Sequence, residues 1–139
     1  MSRLDLPLAL DKASISAAVE TAQDWLEGGG VDARAAMHVA LTLDELLTNA
    51  STHGGGEGRP AQVRLEVRPD RVEVEILDPG AAYDPTSAPA PDLGSSLEDR
   101  PIGGLGVHLV MKLSRDLAYA RDQDRNRTNY WIARSGLRD

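Results

Sequence analysis

A chain of 139 residues with no cysteine suits one domain able to bury its own core, and it excludes disulfide scaffolds, zinc ribbons, thiol nucleophiles and iron–sulfur clusters together. Lys and Arg number 15 against 22 Asp and Glu, a net charge of −7, so a surface built to neutralise nucleic-acid phosphates is not expected. The N-terminus lacks a basic-then-apolar leader and no apolar run approaches the roughly 20 residues of a spanning helix, so no membrane association and a cytoplasmic location are expected.

The opening Arg3-Leu4-Asp5-Leu6 alternates polar and apolar residues until Pro7 interrupts it, which predicts a short edge strand. Ile15, Ala18, Val19, Ala22 and Leu26 recur at helical spacing and predict a helix from about Ser14 to Glu27, stopped by Gly28-Gly29-Gly30. Asp32 reads as the N-cap of a second helix reaching about His53, where Gly54 to Gly56 end it. Val63, Leu65 and Val67, then Val72, Val74 and Ile76, alternate with charged residues around Pro69-Asp70, a hairpin with one buried face. The segment from Pro79 to Pro101 carries five prolines and reads as a long loop. Gly103 to Gly106 opens a third helix to about Arg115, and Leu117–Arg121 with Thr128–Ala133 form a closing hairpin across Asp122 to Asn126. The order β-α-α-β-β-α-β-β predicts a single-domain α/β sandwich over residues 1–139, a mixed, mostly antiparallel sheet with its helices on one face. With aromatics at 4% and no Phe, its core is expected to be mainly Leu, Val, Ile and Ala.

Three constellations carry candidate chemistry. On the second helix, Ala36, Val39, Ala40, Leu43, Leu46, Leu47 and Ala50 share one side, while His38, Thr42, Glu45, Asn49 and His53 form a stripe opposite. Glu45 and Asn49 are one turn apart, so the carboxylate can take a proton while the amide oxygen serves a hard cation such as Mg2+; the same stripe also reads as a plain solvated face. Asp78-Pro79-Gly80 ends an alternating strand, and such an Asp either accepts a hydrogen bond from an exocyclic amine or simply forms a turn. Gly103, Gly104 and Gly106 are three glycines in four positions before a helix, where unpaired N–H groups and the helix dipole favour phosphate; a flexible hinge is the alternative. The motif is neither a Walker loop nor a Rossmann fingerprint.

In this order the three constellations resemble the nucleotide boxes of the Bergerat-fold ATPases, and among them the small bacterial anti-sigma-factor serine/threonine kinases. Leu43 to Gly54 is similar to their first box, Asp78 to Pro85 to their second and Pro101 to Val110 to the third, glycine-rich one. The resemblance implies ATP and Mg2+ as cofactors, Glu45 as general base and Asn49 as the Mg2+ ligand. It further implies that Asp78 reads adenine with Thr128 beside it, and that His53, Gly80, Gly103, Gly104, Leu105, Gly106 and Val107 line the nucleotide. The segment from Pro79 to Pro101, with Arg100 near its end, would be the ATP lid. The implied partners are a sigma factor and an anti-anti-sigma protein of the STAS type, phosphorylated on Ser or Thr; a homodimer is left open. A nucleotide-holding scaffold that transfers nothing is the alternative. Three features depart from the family pattern: the Gly54–Gly58 run, expected to loosen the end of the second helix, Tyr83 in the place of a Phe, and Pro79 before the key glycine.

Overall fold

The computed structural model describes residues 2–53, 55–85 and 104–135, without the side chains of Gly104 and Leu105. Gly103, Arg100 and the expected lid beyond residue 85 lie outside the described residues. The elements are β1 (Arg3–Ala9), α1 (Lys12–Gly28), α2 (Ala33–Thr52), β2 (Pro60–Val67), β3 (Arg71–Asp78), α3 (Gly104–Leu113), β4 (Arg115–Asp122) and β5 (Arg125–Ala133). The order is the expected one. The five strands pair in the order β1-β2-β3-β5-β4, each pair antiparallel.

Alternation decides what the sheet buries. Val63 and Leu65 on β2, Val72, Val74 and Ile76 on β3, and Tyr130 and Ile132 on β5 face the helices. Against them pack Ile15, Ala22 and Leu26 of α1 and Val39, Leu43 and Leu47 of α2. Each fully buried Leu or Val contributes about 1.5–3 kcal/mol, so this apolar layer is the main force holding the helices to the sheet. The opposite face stays charged, with Arg64 between Asp5 and Glu75, and Arg127 paired to Asp122 at 2.7 Å.

Caps set where the helices begin. Asp11 accepts from the Ser14 amide at 2.8 Å and starts α1 earlier than the apolar spacing predicts, while Asp32 caps α2 through the Ala35 amide at 3.0 Å as expected. Three further boundaries differ from the sequence reading. Pro7 does not interrupt β1, because an edge strand tolerates a residue that donates nothing to a ladder. The third helix stops at Leu113 and not Arg115, since Arg115 is taken into the sheet opposite Trp131 and Asp116 adopts φ 55° at the irregularity that follows. The β4–β5 turn is only Gln123-Asp124, with Asp122 opposite Arg125, so Asn126 lies within a strand.

Gly56 and Gly58, beyond α2, are tied down as well. Gly56 N donates to Ala50 O at 3.2 Å, and Gly58 N donates to Leu10 O at 2.9 Å. Gly55 and Gly58 hold φ of 67° and 76°, and a β-carbon on Gly56 would stand 2.9 Å from Leu10 Cδ1, so here glycine permits close packing of the helix end against β1.

Candidate active site

The predicted residues converge where the C-terminal half of α2 crosses the end of β3. The helix is held there by a buried hydrogen bond, Tyr130 Oη donating to Thr42 Oγ1 at 2.8 Å, while Thr42 turns its own proton to the backbone carbonyls of His38 and Val39. Burial pushes the Tyr130 phenol far above its usual range, so the hydroxyl remains a neutral donor. The solvated-face reading of the stripe on α2 fails at Thr42 and Asn49, which are buried, while His38 and Glu45 are half-buried and His53 is exposed; the exposed large apolar side chains of that helix are Met37 and Leu41.

The result is a narrow cleft lined by Leu46, Asn49, Ala50, Ile76, Asp78, Tyr83, Pro85, Asn126 and Thr128. Asp78 is 6% exposed. Its Oδ1 accepts from Gly80 N at 2.9 Å and from Asn126 Nδ2 at 3.0 Å, and Thr128 follows on the same face of β5. Asp78, Gly80 and Thr128 are thus brought together as expected. Asn126 is a site residue that sequence reasoning missed, having assigned it to a turn; its register opposite Asp78 is visible only once the strands pair.

Beside the cleft, one turn before Asn49 on α2, Glu45 is half-buried and its carboxyl is held above the ordinary glutamate range. Burial is the main cause and Asp44 adds to it, while Asn49 and His53 act in the opposite direction. Such a shift suits a proton acceptor working near neutral pH. The carboxyl group lies directly against Gly106 in the first turns of α3, where any β-carbon would overlap it. Gly106 of the third box is therefore next to Glu45 of the first in space. His53 caps α2 and stacks on Tyr83, ring centroids 5.8 Å apart and planes 19° from parallel. Burial and the Glu45 charge together raise the Tyr83 phenol. Val107 is buried, so it could face a ligand only through its backbone.

Asn49 fits a missing ligand. It is 3% exposed, and its Nδ2 is buried near the Glu45 carboxyl without a well-formed hydrogen bond, a costly state that a group binding there would relieve. Its Oδ1 is a suitable neutral donor to Mg2+. No cluster of three or more His, Asp or Glu among the described residues would cage a metal, so other ligands would come from phosphate and water, as is usual for Mg2+. A larger concavity, of about 360 Å³, lies on the charged face of the sheet. Its lining groups largely engage one another, as Arg64 does Glu75 and Trp131 Nε1 does Asp116, so it lacks free convergent chemistry.

Residues 8–130 match the histidine kinase-like ATPase domain family. A curated relative, the serine/threonine-protein kinase BtrW of Bordetella bronchiseptica, is 38% identical over 120 residues, 80% of this chain and 84% of its own. The solved structure of the RsbU and RsbW domains of a Mycobacterium tuberculosis protein superposes with a TM-score of 0.70 over 99% of this chain at 13% identity. The chain spans about a third, 34%, of that longer polypeptide, and at this identity the likeness concerns the fold.

Proposed function

The chain belongs to the histidine kinase-like ATPase domain family, and on that premise we propose that it is an ATP- and Mg2+-dependent serine/threonine kinase acting as an anti-sigma regulatory factor. The observation that carries the reading is that Asn49 and Asp78 line one cleft while Glu45, whose charge is felt by Asn49 and by the cleft residue Tyr83, lies beside it with Gly106 against its carboxyl group. The 38% identity to a protein named as a serine/threonine kinase supports transfer, and a base with a raised pKa beside an orphaned amide fits it. The substrate is a Ser or Thr of a STAS-type anti-anti-sigma protein, and a sigma factor is the second partner.

Bound Mg-ATP would supply the transferable γ-phosphoryl group. Asp78 and Thr128 would hold the adenine end, Asn49 Oδ1 would hold the cation, and the backbone of Gly104 to Gly106 at the start of α3 would meet phosphate oxygens. Glu45 would orient the substrate hydroxyl and take its proton as the oxygen bonds to the γ-phosphorus, while the bond from that phosphorus to the β-phosphate oxygen breaks and ADP leaves. Most of the acceleration comes from holding these groups in line. No described helix is long and apolar enough to cross a membrane.

The test is incubation with γ-labelled ATP and candidate STAS proteins. Labelled STAS protein that becomes alkali-labile, as phosphoserine does, is the expected result. Nucleotide binding without any transfer would favour the scaffold reading, and no binding of adenine nucleotides would remove both.

A further inference from the structure

The side chain of Asn126 uses all four of its hydrogen-bonding positions. Nδ2 donates to Asp78 Oδ1 at 3.0 Å and to Ala81 O at 2.8 Å, while Oδ1 accepts from Tyr119 Oη and from Arg121 Nη1 at 3.1 Å. A guanidinium has no acceptor and a carboxylate no donor, so the amide cannot turn over without setting like against like at both ends. The same Arg121 nitrogen donates to Gly80 O at 2.7 Å. Arg121 and Asn126 face each other in register across the β4–β5 hairpin, so the whole clamp comes from one element.

We propose that Asn126, set by Arg121 and Tyr119, is the positioning residue for the Asp78 carboxylate and thereby fixes the preference of the cleft for adenine over guanine nucleotides. This rests on the nucleotide-binding reading above. Gly80 N and Asn126 Nδ2 both bind Oδ1, which leaves Oδ2 without a partner among the described residues on a nearly buried carboxylate. A locked acceptor of this kind suits only a donor. Adenine presents an exocyclic amine where guanine presents a carbonyl oxygen, and a carboxylate unable to rotate away meets that oxygen acceptor to acceptor. Sites built on a buried polar partner discriminate well because the wrong ligand leaves that partner unpaired.

The experiment titrates Mg-ATP and Mg-GTP calorimetrically into the wild type, Asn126→Ala, Asn126→Asp and Arg121→Ala. Wild type should prefer ATP. Asn126→Asp keeps the size but turns the donor into an anion facing Asp78, so it and Asn126→Ala should lose about tenfold or more in ATP affinity while GTP affinity moves by less than about threefold. In transfer assays the loss should fall on KM for ATP rather than on kcat, since the clamp lies at the base end and not at the transferred phosphate. Should Asn126→Ala not fold, Arg121→Ala, which removes an exposed guanidinium, reads the same ratio. Folded variants that keep the wild-type preference, or that lose both nucleotides in parallel, overturn the proposal. A wild type that binds neither nucleotide overturns the kinase reading with it.

Discussion

Replacing Gly106 with Ala separates stability from catalysis in a single site. A β-carbon there would overlap the Glu45 carboxyl group, but what it meets is the end of a flexible side chain on the neighbouring helix, not backbone. Relief comes by rotating Glu45 away, at about 0.5–1.5 kcal/mol for a displaced rotamer. Against this, Ala is favoured over Gly within a helix by about 0.5–1 kcal/mol. The two nearly cancel, so the melting temperature without nucleotide should stay within about 4 °C of wild type. Activity should not survive so well: a base moved by 1 Å or more loses its alignment, and transfer should fall about 100-fold. Circular-dichroism melting and single-turnover transfer read the two effects independently. Adding Gly106→Ala to Glu45→Gln should then cost little more, because both remove the same aligned carboxylate. A melting temperature lowered by more than about 8 °C, or transfer within threefold of wild type, would contradict this account of Gly106.

Glu45→Gln keeps the size and removes the base, so transfer should drop roughly 10²- to 10⁴-fold with nucleotide affinity nearly unchanged in calorimetry. The working form of Glu45 is the carboxylate and its pKa is raised, so the wild-type rate should decline at a higher pH than an ordinary Glu would give as pH falls, and the Gln variant should lack that limb. The same raised pKa favours the protonated folded form; its stabilising contribution is complete below the unfolded pKa and is lost as pH climbs through the folded one. Above that range, denaturant titration should find Glu45→Gln no less stable than wild type. Asn49→Ala removes an orphaned buried amide, so it should melt no lower than wild type while losing Mg-ATP affinity and transfer together. Mg-ATP at ~100 times its dissociation constant should stabilise the wild type by about 2.7 kcal/mol, seen as an upward shift in melting, and the absence of any shift would count against nucleotide binding.

The order of elements, the cap of the second helix and the spacing within each candidate motif were legible because they are local. Alternation at Val63 and Leu65 or at Val72 and Val74 needs only neighbours two residues away, and Asp32 caps the amide of Ala35 three residues on. Helical spacing likewise placed Thr42, Glu45 and Asn49 on one stripe, but it could not say what that stripe faces. A period relates residues within one helix and carries no information about its rotation against a sheet. Packing of Val39, Leu43 and Leu47 on the sheet sets that rotation, with the hydrogen bond from Tyr130 to Thr42, 88 residues apart, on the same side, and it brings Asn49 into the cleft. Asn126 escaped for a related reason. Its place opposite Asp78 depends on where the β4–β5 turn closes and on β5 joining β3 across an intervening helix and strand. Strand register is a sum of long-range pairings, and a one-residue change would turn this amide to the other face. The kinds of groups that make the cleft were therefore set by local sequence, whereas their convergence, the contact of Glu45 with Gly106 and the locked state of Asp78 were decided by packing between distant elements.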